Sequence, residues 1–462
     1  MSVHLPTAEM VELTKKTKII DDLLGGTATM RKAAQTYLFQ MEMVEPDSYR
    51  KRLERSTLYP ALSETLSQMT GRVFFNPIDV ADVTETVQAL FDDVDLVGNN
   101  LDVFASRWFY SALAYGCSFA LIDFTRVEAV KSRAEEKALN ARPYWVHIKP
   151  HQVLGIKTAR VNGKQAITQF RYVVHEQVEE GEFGVKTVKH VYVYEIGKVR
   201  KFSEAEGEFR FESELQLTAQ NRPLDFVPVV PFITKRNELT NAIEPPLMEL
   251  AYLNIKHWSS QSDQDNITNI ARVPLLAIYS NDEVKQLAIG GSAVHLPTGS
   301  SMQFVEHSGQ AIEAGMASLK DLEEQMKTAG AKLLTKTALA MTDSQARDEA
   351  GKEISQLRLL ANRFEDAIDL ALEYTGHWLG IAKEQVGNVQ ISGNIENDLD
   401  PSASMASVIQ LRNAGVISNQ STFDEAKRRG LLADGLEWDT EQERLQSEGM
   451  HFDLEKTSET NT

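Results

Sequence analysis

From Pro245 to Ala271 the chain carries one long helical pattern whose two halves differ in character. Leu247, Leu250, Ala251, Leu253 and Trp258 recur at helical spacing in the first half. Residues 259–269 are nearly all polar. Glu244-Pro245-Pro246 starts the element well, because the missing proline N–H would be unpaired in a first turn anyway. About 27 residues at ~1.5 Å each make a rod of roughly 40 Å. A helix polar on all sides needs neighbours or water around it, so the pattern predicts that a lone copy cannot bury this rod. A short apolar strand over 273–279 follows, then a compact loop-rich segment, then helical patterns over 312–334 and 354–386. Long rods with little that resembles a catalytic pocket point to assembly rather than chemistry.

The flanking regions obey other rules. Residues 1–140 read as mainly helical. A pattern over 10–24 stops at Gly25-Gly26. Another covers 49–75, with Pro60 inside it to kink or restart the helix. A third covers 101–115, followed by a strand over 118–124 and a charged surface helix over 127–139. From Pro143 to Thr234 the period changes to two. Asn162-Gly163 between apolar flanks is a hairpin signal. Residues 190–194 are dense in strand formers and pair with 170–178 across a turn at 180–184. Phe209-Arg210-Phe211 alternates as well. Pro228 and Pro231 mark an edge strand or a rigid exit. Further on, Ile312, Met316, Leu319, Leu322, Met326, Ala329 and Leu333 form one apolar stripe. The strongest helical pattern runs from Ile354 through Leu360, Phe364, Ile368 and Leu372 to Leu379. Between these two helices, 335–351 is rich in small and polar residues and reads as a mobile loop. The sum is an α+β fold, mainly helical.

Composition narrows the function classes. The chain has 462 residues, which predicts two to four structural units rather than one core. No apolar run approaches the ~20 residues that span a bilayer, and the first residues lack a signal-peptide core. A single cysteine, Cys117, cannot form an internal disulfide, and its apolar context marks a buried small hydrophobe. The formal charge of −18 argues against broad gripping of nucleic acid through counterion release. The same charge suits a wall past which a polyanion slides, or serves solubility alone. From Asp434 to Thr462 there are nine acids against Arg444 and Lys456, a composition that predicts a disordered end.

Catalytic signatures are missing from the sequence. Gly25-Gly26-Thr27 and Gly290-Gly291-Ser292 lack the lysine and spacing of a phosphate-binding loop. His147 and His151 are four apart, but Pro150 between them keeps them off one helical face, so no metal site is expected. Asp263, Asp265 and Asn266 imitate the start of a calcium loop without its glycine or closing glutamate. Glu365, Asp366 and Asp369 read as the solvated side of a helix. Residues 408–431 spell helix, turn, helix, with Lys427-Arg428-Arg429 at the end of the second helix. In an acidic setting that cluster offsets the helix dipole rather than reading DNA bases. No catalytic residue, cofactor or metal is expected.

Five stretches carry a family resemblance: RSTLYPALSETLSQMTGRVFFNP (55–77), RPYWVHIKPHQVLG (142–155), AYLNIKHWSSQSDQDNITNIARVPLLAI (251–278), VEHSGQAIEAGMASLKDLEEQM (305–326) and LRNAGVISNQSTFDEAKRRGLL (411–432). In this order the chain resembles the portal proteins of tailed bacteriophages, the head-to-tail connectors. None of the five is a catalytic fingerprint; the specificity lies in their order. The resemblance implies a portal-like architecture with wing, stem helices, a small α/β clip and a helical crown. The wing maps to 1–244 plus a long helix and connection over 352–400. The stem maps to 245–271 and 312–334, the clip to 272–311, the channel loop to 335–351, and the crown with its acidic tail to 401–462.

The resemblance further implies a ring of twelve identical subunits at one capsid vertex, assembled in the host cytoplasm. Double-stranded DNA passes through it without sequence preference during packaging and ejection. Implied partners are the terminase large subunit, the major capsid protein and adaptor or tail proteins, with no membrane. Channel-facing candidates are Lys332, Lys336, Leu339, Met341, Gln345, Arg347 and Lys352. Clip candidates for subunit or terminase contact are Val273, Leu275, Leu276, Ile278 and Tyr279. Since packaging consumes ATP and the chain has no nucleotide loop, the motor is a separate protein. Two other readings stay open: a helical scaffold or adaptor without a channel, and a hydrolase using Asp263 and Asp265.

Overall fold

The computed structural model describes residues 2–40, 45–125, 141–161, 163–272, 275–279, 301–305, 309–334, 336–337, 354–393, 401–428, 431–432 and 435–447. The charged helix expected over 127–139 and the acidic end beyond 447 lie outside these residues. The chain is mixed α+β and mainly helical. It divides into two compact units: one of residues 1–70, 80–333 and 363–389, the other of 71–79, 334–362 and 390–462.

The first unit opens with helices α1 (Ala8–Leu24), α2 (Gly26–Ala33), α3 (Pro46–Arg55) and α4 (Ala61–Val73), the last running on into the second unit. The break after Leu24 falls where the paired glycines place it. The pattern expected over 49–75 is two helices, because residues 56–60 leave helical conformation ahead of Pro60. Strand β1 (Asp79–Val83) and the single-turn α5 (Glu85–Gln88) lead to α6 (Leu101–Tyr115). Asn100 caps α6, its side chain accepting a hydrogen bond from the Val103 N–H at 2.9 Å. Nine of its fifteen residues are buried, so α6 is the spine of a core rather than a surface rod.

Two antiparallel sheets follow. Strands β2 (Cys117–Phe124) and β3 (Pro143–Ile148) belong to a three-stranded sheet in which β2 is central. Strands β4 (Val153–Val161), β5 (Lys164–Glu180), β6 (Gly184–Glu195), β7 (Lys198–Ala205) and β8 (Glu208–Gln216) form a five-stranded meander in chain order. The expected pairing of 170–178 with 190–194 is its centre, with Phe170 opposite Tyr194 and Val174 opposite His190. One face buries Leu154, Val191, Val193, Phe202 and Phe209 as a cluster. The short β9 (Thr218–Ala219) and β10 (Arg222–Pro223) precede β11 (Val229–Ile233). The proline-marked β11 is an edge strand beside β2, with Pro231 opposite Phe119. There a missing N–H costs no ladder bond.

Helix α7 (Met248–Ala271), strands β12 (Leu275–Tyr279) and β13 (Ser301–Val305), and helix α8 (Gln310–Ala331) come next. Strands β14 (Lys336–Thr337) and β15 (Ile354–Ser355) belong to the second unit, and α9 (Gln356–Leu379) starts there. The helix expected to reach residue 386 stops at Leu379. Gly380 takes φ +71, the Gly380 N–H donates to His377 O and the Ile381 N–H to Gly376 O. This paired capping ends a helix wherever the left-handed residue falls. Residues beyond it form β16 (Val386–Gln390), which pairs with β1.

Within the first unit, Trp378 donates its indole N–H to Ile122 O at 3.0 Å and Trp145 donates to Thr375 Oγ1 at 2.9 Å. These bonds lock the end of α9 onto β2 and β3. Cys117 is fully buried, as its apolar context predicts, and burial pushes its thiol up to about 12. At pH 8 almost no thiolate exists. A thiol reagent such as DTNB should therefore leave Cys117 unmodified in the native protein and react promptly in 6 M guanidinium. Reaction of the folded protein within minutes would contradict this burial.

In the second unit, the stretch after β16 lies along residues 72–76. A Cβ on Gly393 would sit 2.2 Å from Val73 O, and Asn76 donates to Ser392 O at 2.7 Å. Helices α10 (Pro401–Asn413), α11 (Asn419–Arg428) and α12 (Trp438–Ser447) complete it, with Phe423 against Trp438 at 5.4 Å between ring centres.

Candidate functional site

The expected stem is a hairpin of α7 and α8 in the first unit. Leu250, Ala251 and Trp258 of α7 and Leu319, Leu322 and Met326 of α8 are buried. The apolar stripe of α8 divides along its length: Met316, near its start, is 61% exposed while Leu319 is covered. Across the hairpin, Gln264 donates to Ile312 O at 2.9 Å. Gly315 makes that contact possible, since a Cβ there would lie 2.0 Å from Gln264 Oε1.

The expectation that one copy cannot bury the polar half of α7 is overturned for one of its faces. Ser262 and Gln264 of that half are buried within the single chain, as are Asn254 and His257 in the half before it. Arg52 of α3 donates from Nε to Ser262 Oγ at 2.9 Å and from Nη2 to Asp263 Oδ1 at 2.5 Å. Ser56 Oγ donates to Ser262 Oγ at 2.8 Å. Asn254 accepts from the Leu62 N–H at 3.1 Å and donates to Tyr59 O at 2.9 Å. Buried polar groups are tolerated when their hydrogen bonds are made, and residues 52–62 make them for Asn254 and Ser262. No local spacing signals this, because the partners are about two hundred residues apart. Tyr252, Lys256, Asp263 and Asn266 keep a solvent-facing side on the rod.

The two carboxylates considered for hydrolysis are occupied. Asp263 is paired with Arg52, and Asp265 accepts from Gln261 Nε2 at 2.8 Å. His257 lies 5.2 Å from Tyr59 between ring centres, and its Nε2 is 3.7 Å from Glu323 Oε1. Burial lowers its pKa against the opposing pull of Glu323. His147 and His151 fall on β3 and on the turn after it. His147 Nε2 is 2.8 Å from Ser118 Oγ, and burial, aided by Lys149 and Arg107, pushes the ring down to about 4. A cleft of about 420 Å³ lies between the two sheets, lined by Tyr144, Tyr172, Tyr192 and Tyr194 beside His147 and Asp123. Tyr194 donates to Asp123 Oδ2 at 2.8 Å. Ser118 is itself fully buried, so its hydroxyl and the His147 ring support one another inside the sheet.

Lys332 is exposed in the 3-10 turn after α8. Lys336 lies on β14, where it is opposite Ser355 while Thr337 is opposite Ile354. The two ends of the segment 338–353 are therefore held side by side. Leu339, Met341, Gln345, Arg347 and Lys352 lie outside the described residues. Of the residues expected in a clip, Leu275, Leu276, Ile278 and Tyr279 lie on β12, which pairs antiparallel with β13, Leu276 opposite Phe304 and Tyr279 opposite Ser301. Tyr279 is 59% exposed, and Val273 lies outside the described residues. Among the described residues no third strand joins this pair, so both outer edges are unpaired there.

The helix-turn-helix expected over 408–431 is α10 and α11. Its turn closes through Gly415 N–H to Arg412 O and Val416 N–H to Leu411 O. Lys427 is paired with Glu437 at 3.1 Å, and Arg429 lies outside the described residues. Among the described residues no helix is long and apolar enough to cross a membrane.

Residues 246–379, from just before α7 to the end of α9, match a family described as a domain of unknown function, DUF4055. No curated protein matches. Among solved structures, the chain is similar to one from the neck of an empty GTA particle computed with C6 symmetry. That pair shares 11% identity, covers 79% of this chain and 88% of that one, and has a TM-score of 0.41. It is also similar to a chain from the virion of a native gene transfer agent (GTA) particle, with 11% identity, 87% and 98% coverage and a TM-score of 0.40. A third chain, from the neck of a native GTA particle computed with C12 symmetry, gives 12% identity, 86% and 97% coverage and a TM-score of 0.41.

Proposed function

We propose that this chain is the subunit of a portal ring at one vertex of a phage-like capsid, through which double-stranded DNA is packaged and ejected. The observation that carries the reading is the order helix, strand pair, returning helix, pinned segment. Helices α7 and α8 bracket the β12–β13 pair, and the chain leaves α8 into a segment whose ends are clamped by β14 and β15. That order, with the five sequence stretches quoted above, is the portal arrangement of stem, clip, stem and channel loop. The polar rod does not carry the reading, because one chain covers part of it.

In this reading the unpaired edges of β12 and β13 join neighbouring clips by strand addition. The same clip face receives the terminase motor, while capsid and adaptor proteins meet the wing and crown. Lys332 and Lys336, repeated around the ring, give weak cationic contacts at the start of the channel loop. The excess of acids elsewhere keeps DNA from sticking. The covered polar face of α7 favours the competing reading, a helical adaptor that needs no channel.

Electron-microscopic class averages viewed down the symmetry axis separate the two. Rings with an open centre support the portal, and solid oligomers support the adaptor. Deleting residues 339–345 should leave the number of subunits per ring unchanged and impair DNA retention in particles. Rings that fail to form after this deletion would make the segment structural and reject its assignment to the channel.

A further inference from the structure

Strand β5 is the backbone of two ribbons that point in opposite directions. At its start, Lys164–Ile167 pair only with Thr158–Val161 of β4, since pairing with β6 begins at Gln169. At its end, residues 175–180 pair only with 184–189 of β6, since β7 joins β6 no further than His190. The turns of the two ribbons lie at opposite ends of a seventeen-residue strand, roughly 55 Å apart at ~3.3 Å per residue.

The ribbons carry opposite charge. The first has Lys157, Arg160 and Lys164 and no acid between Ile156 and Phe170; all three cations are exposed. The second has Glu179, Glu180 and Glu182 exposed around its turn and stays net acidic along 175–189, since Glu176 joins these three against Lys186 and Lys189. Among the described residues Lys157, Arg160, Lys164, Glu179, Glu180 and Glu182 make no ion pair. The acidic tip also shows Phe183 at 90% and Val185 at 63% exposure. The basic ribbon offers a small seat, the directly opposed Ala159 and Ala166 beside Lys164. A two-stranded ribbon with no packed face is marginal in water, and the length of β5 keeps the two ends of one chain apart.

From this geometry we infer that the acidic ribbon of one copy docks on the basic ribbon of the next, joining the five-stranded sheets head to tail. A ring of more than two identical subunits needs such a pair of different, complementary patches, whereas a two-fold dimer needs one patch that complements itself. Two charge-opposed ends on one stiff strand meet that requirement. The inference rests on the ring reading above and names a contact within it.

Two triple variants test it. One reverses the acidic end (Glu179→Lys, Glu180→Lys, Glu182→Lys) and the other the basic end (Lys157→Glu, Arg160→Glu, Lys164→Glu). Each alone presents like charges at every contact, and at ~0.1 M salt should raise the protein concentration for half-assembly about 100-fold, which is about 2.7 kcal/mol. Mixed in equal amounts they should assemble again, alternating and only in even-numbered oligomers, as read by mass photometry or native mass spectrometry. Phe183→Ser alone should weaken assembly about 10-fold. Single variants that assemble like the wild type, or a mixture of two folded variants that stays monomeric, overturn the head-to-tail contact while the wild-type ring stands. A wild type that stays monomeric under all conditions overturns the ring reading itself.

Discussion

Replacing Phe364 with alanine should lower the unfolding free energy by about 3–5 kcal/mol, read as a fall in the urea midpoint. Phe364 is fully buried on α9. Its ring meets Trp108 at 4.9 Å, Phe109 at 5.2 Å and Phe232 at 4.8 Å between centres. Those partners come from α6 and β11, so one side chain joins a late helix to an early helix and to the edge strand. Truncation removes the buried ring and leaves a cavity that three rigid aromatics cannot close. Leu359 on the same helix is 38% exposed, so Leu359→Ala should cost under about 1 kcal/mol. A Phe364→Ala loss below that of Leu359→Ala would mean that the aromatic cluster does not hold the first unit together.

Asn254→Ala should destabilise the protein by about 2–4 kcal/mol, more than its volume warrants. The residue is 1% exposed and serves the Leu62 N–H and Tyr59 C=O together. Both are backbone groups beside Pro60, where the chain leaves one helix and enters the next and no ladder supplies partners. Removing the amide strands the Leu62 N–H, at ~1–3 kcal/mol, and leaves a cavity besides, while Tyr59 O keeps the Ala61 N–H at 3.0 Å. Asn254→Asp keeps the acceptor, loses the donor and buries a charge, so it should be worse than alanine at pH 7. Burial raises a carboxyl pKa, so folding favours the protonated form. The aspartate variant should therefore regain stability as pH falls through that raised value. An aspartate variant as stable as wild type at pH 7 would show that water reaches the site. Asn254 thereby anchors α7 to the start of α4.

Much of the architecture is legible in residue spacing. Helix α6 falls on its expected bounds because cap, apolar period and closing glycine agree. The β5–β6 hairpin is readable because strand formers alternate on both sides of a polar turn. Errors cluster where a single backbone conformation decides. The pattern over 354–386 continues past Leu379 in hydrophobicity, yet the left-handed Gly380 ends the helix and leaves Val386 in a strand. Of the two outcomes open at Pro60, a kink or a restart, the helix restarts, because residues 56–59 before it leave helical conformation as well.

The sequence by itself determined the class of the fold, the place of the long rods, the switch to period two over 143–234, and the burial of Cys117. These follow from local rules, since helix and strand periods and turn chemistry act within a few residues. Only the tertiary structure decided which polar residues of α7 are covered, that Arg52 and Ser56 cover them, and that β5 carries opposite charges at its two ends. Hydrogen bonds between residues 52 and 263, and the direction in which a strand outruns its neighbours, depend on how distant segments meet. No periodicity in one stretch of chain records that meeting.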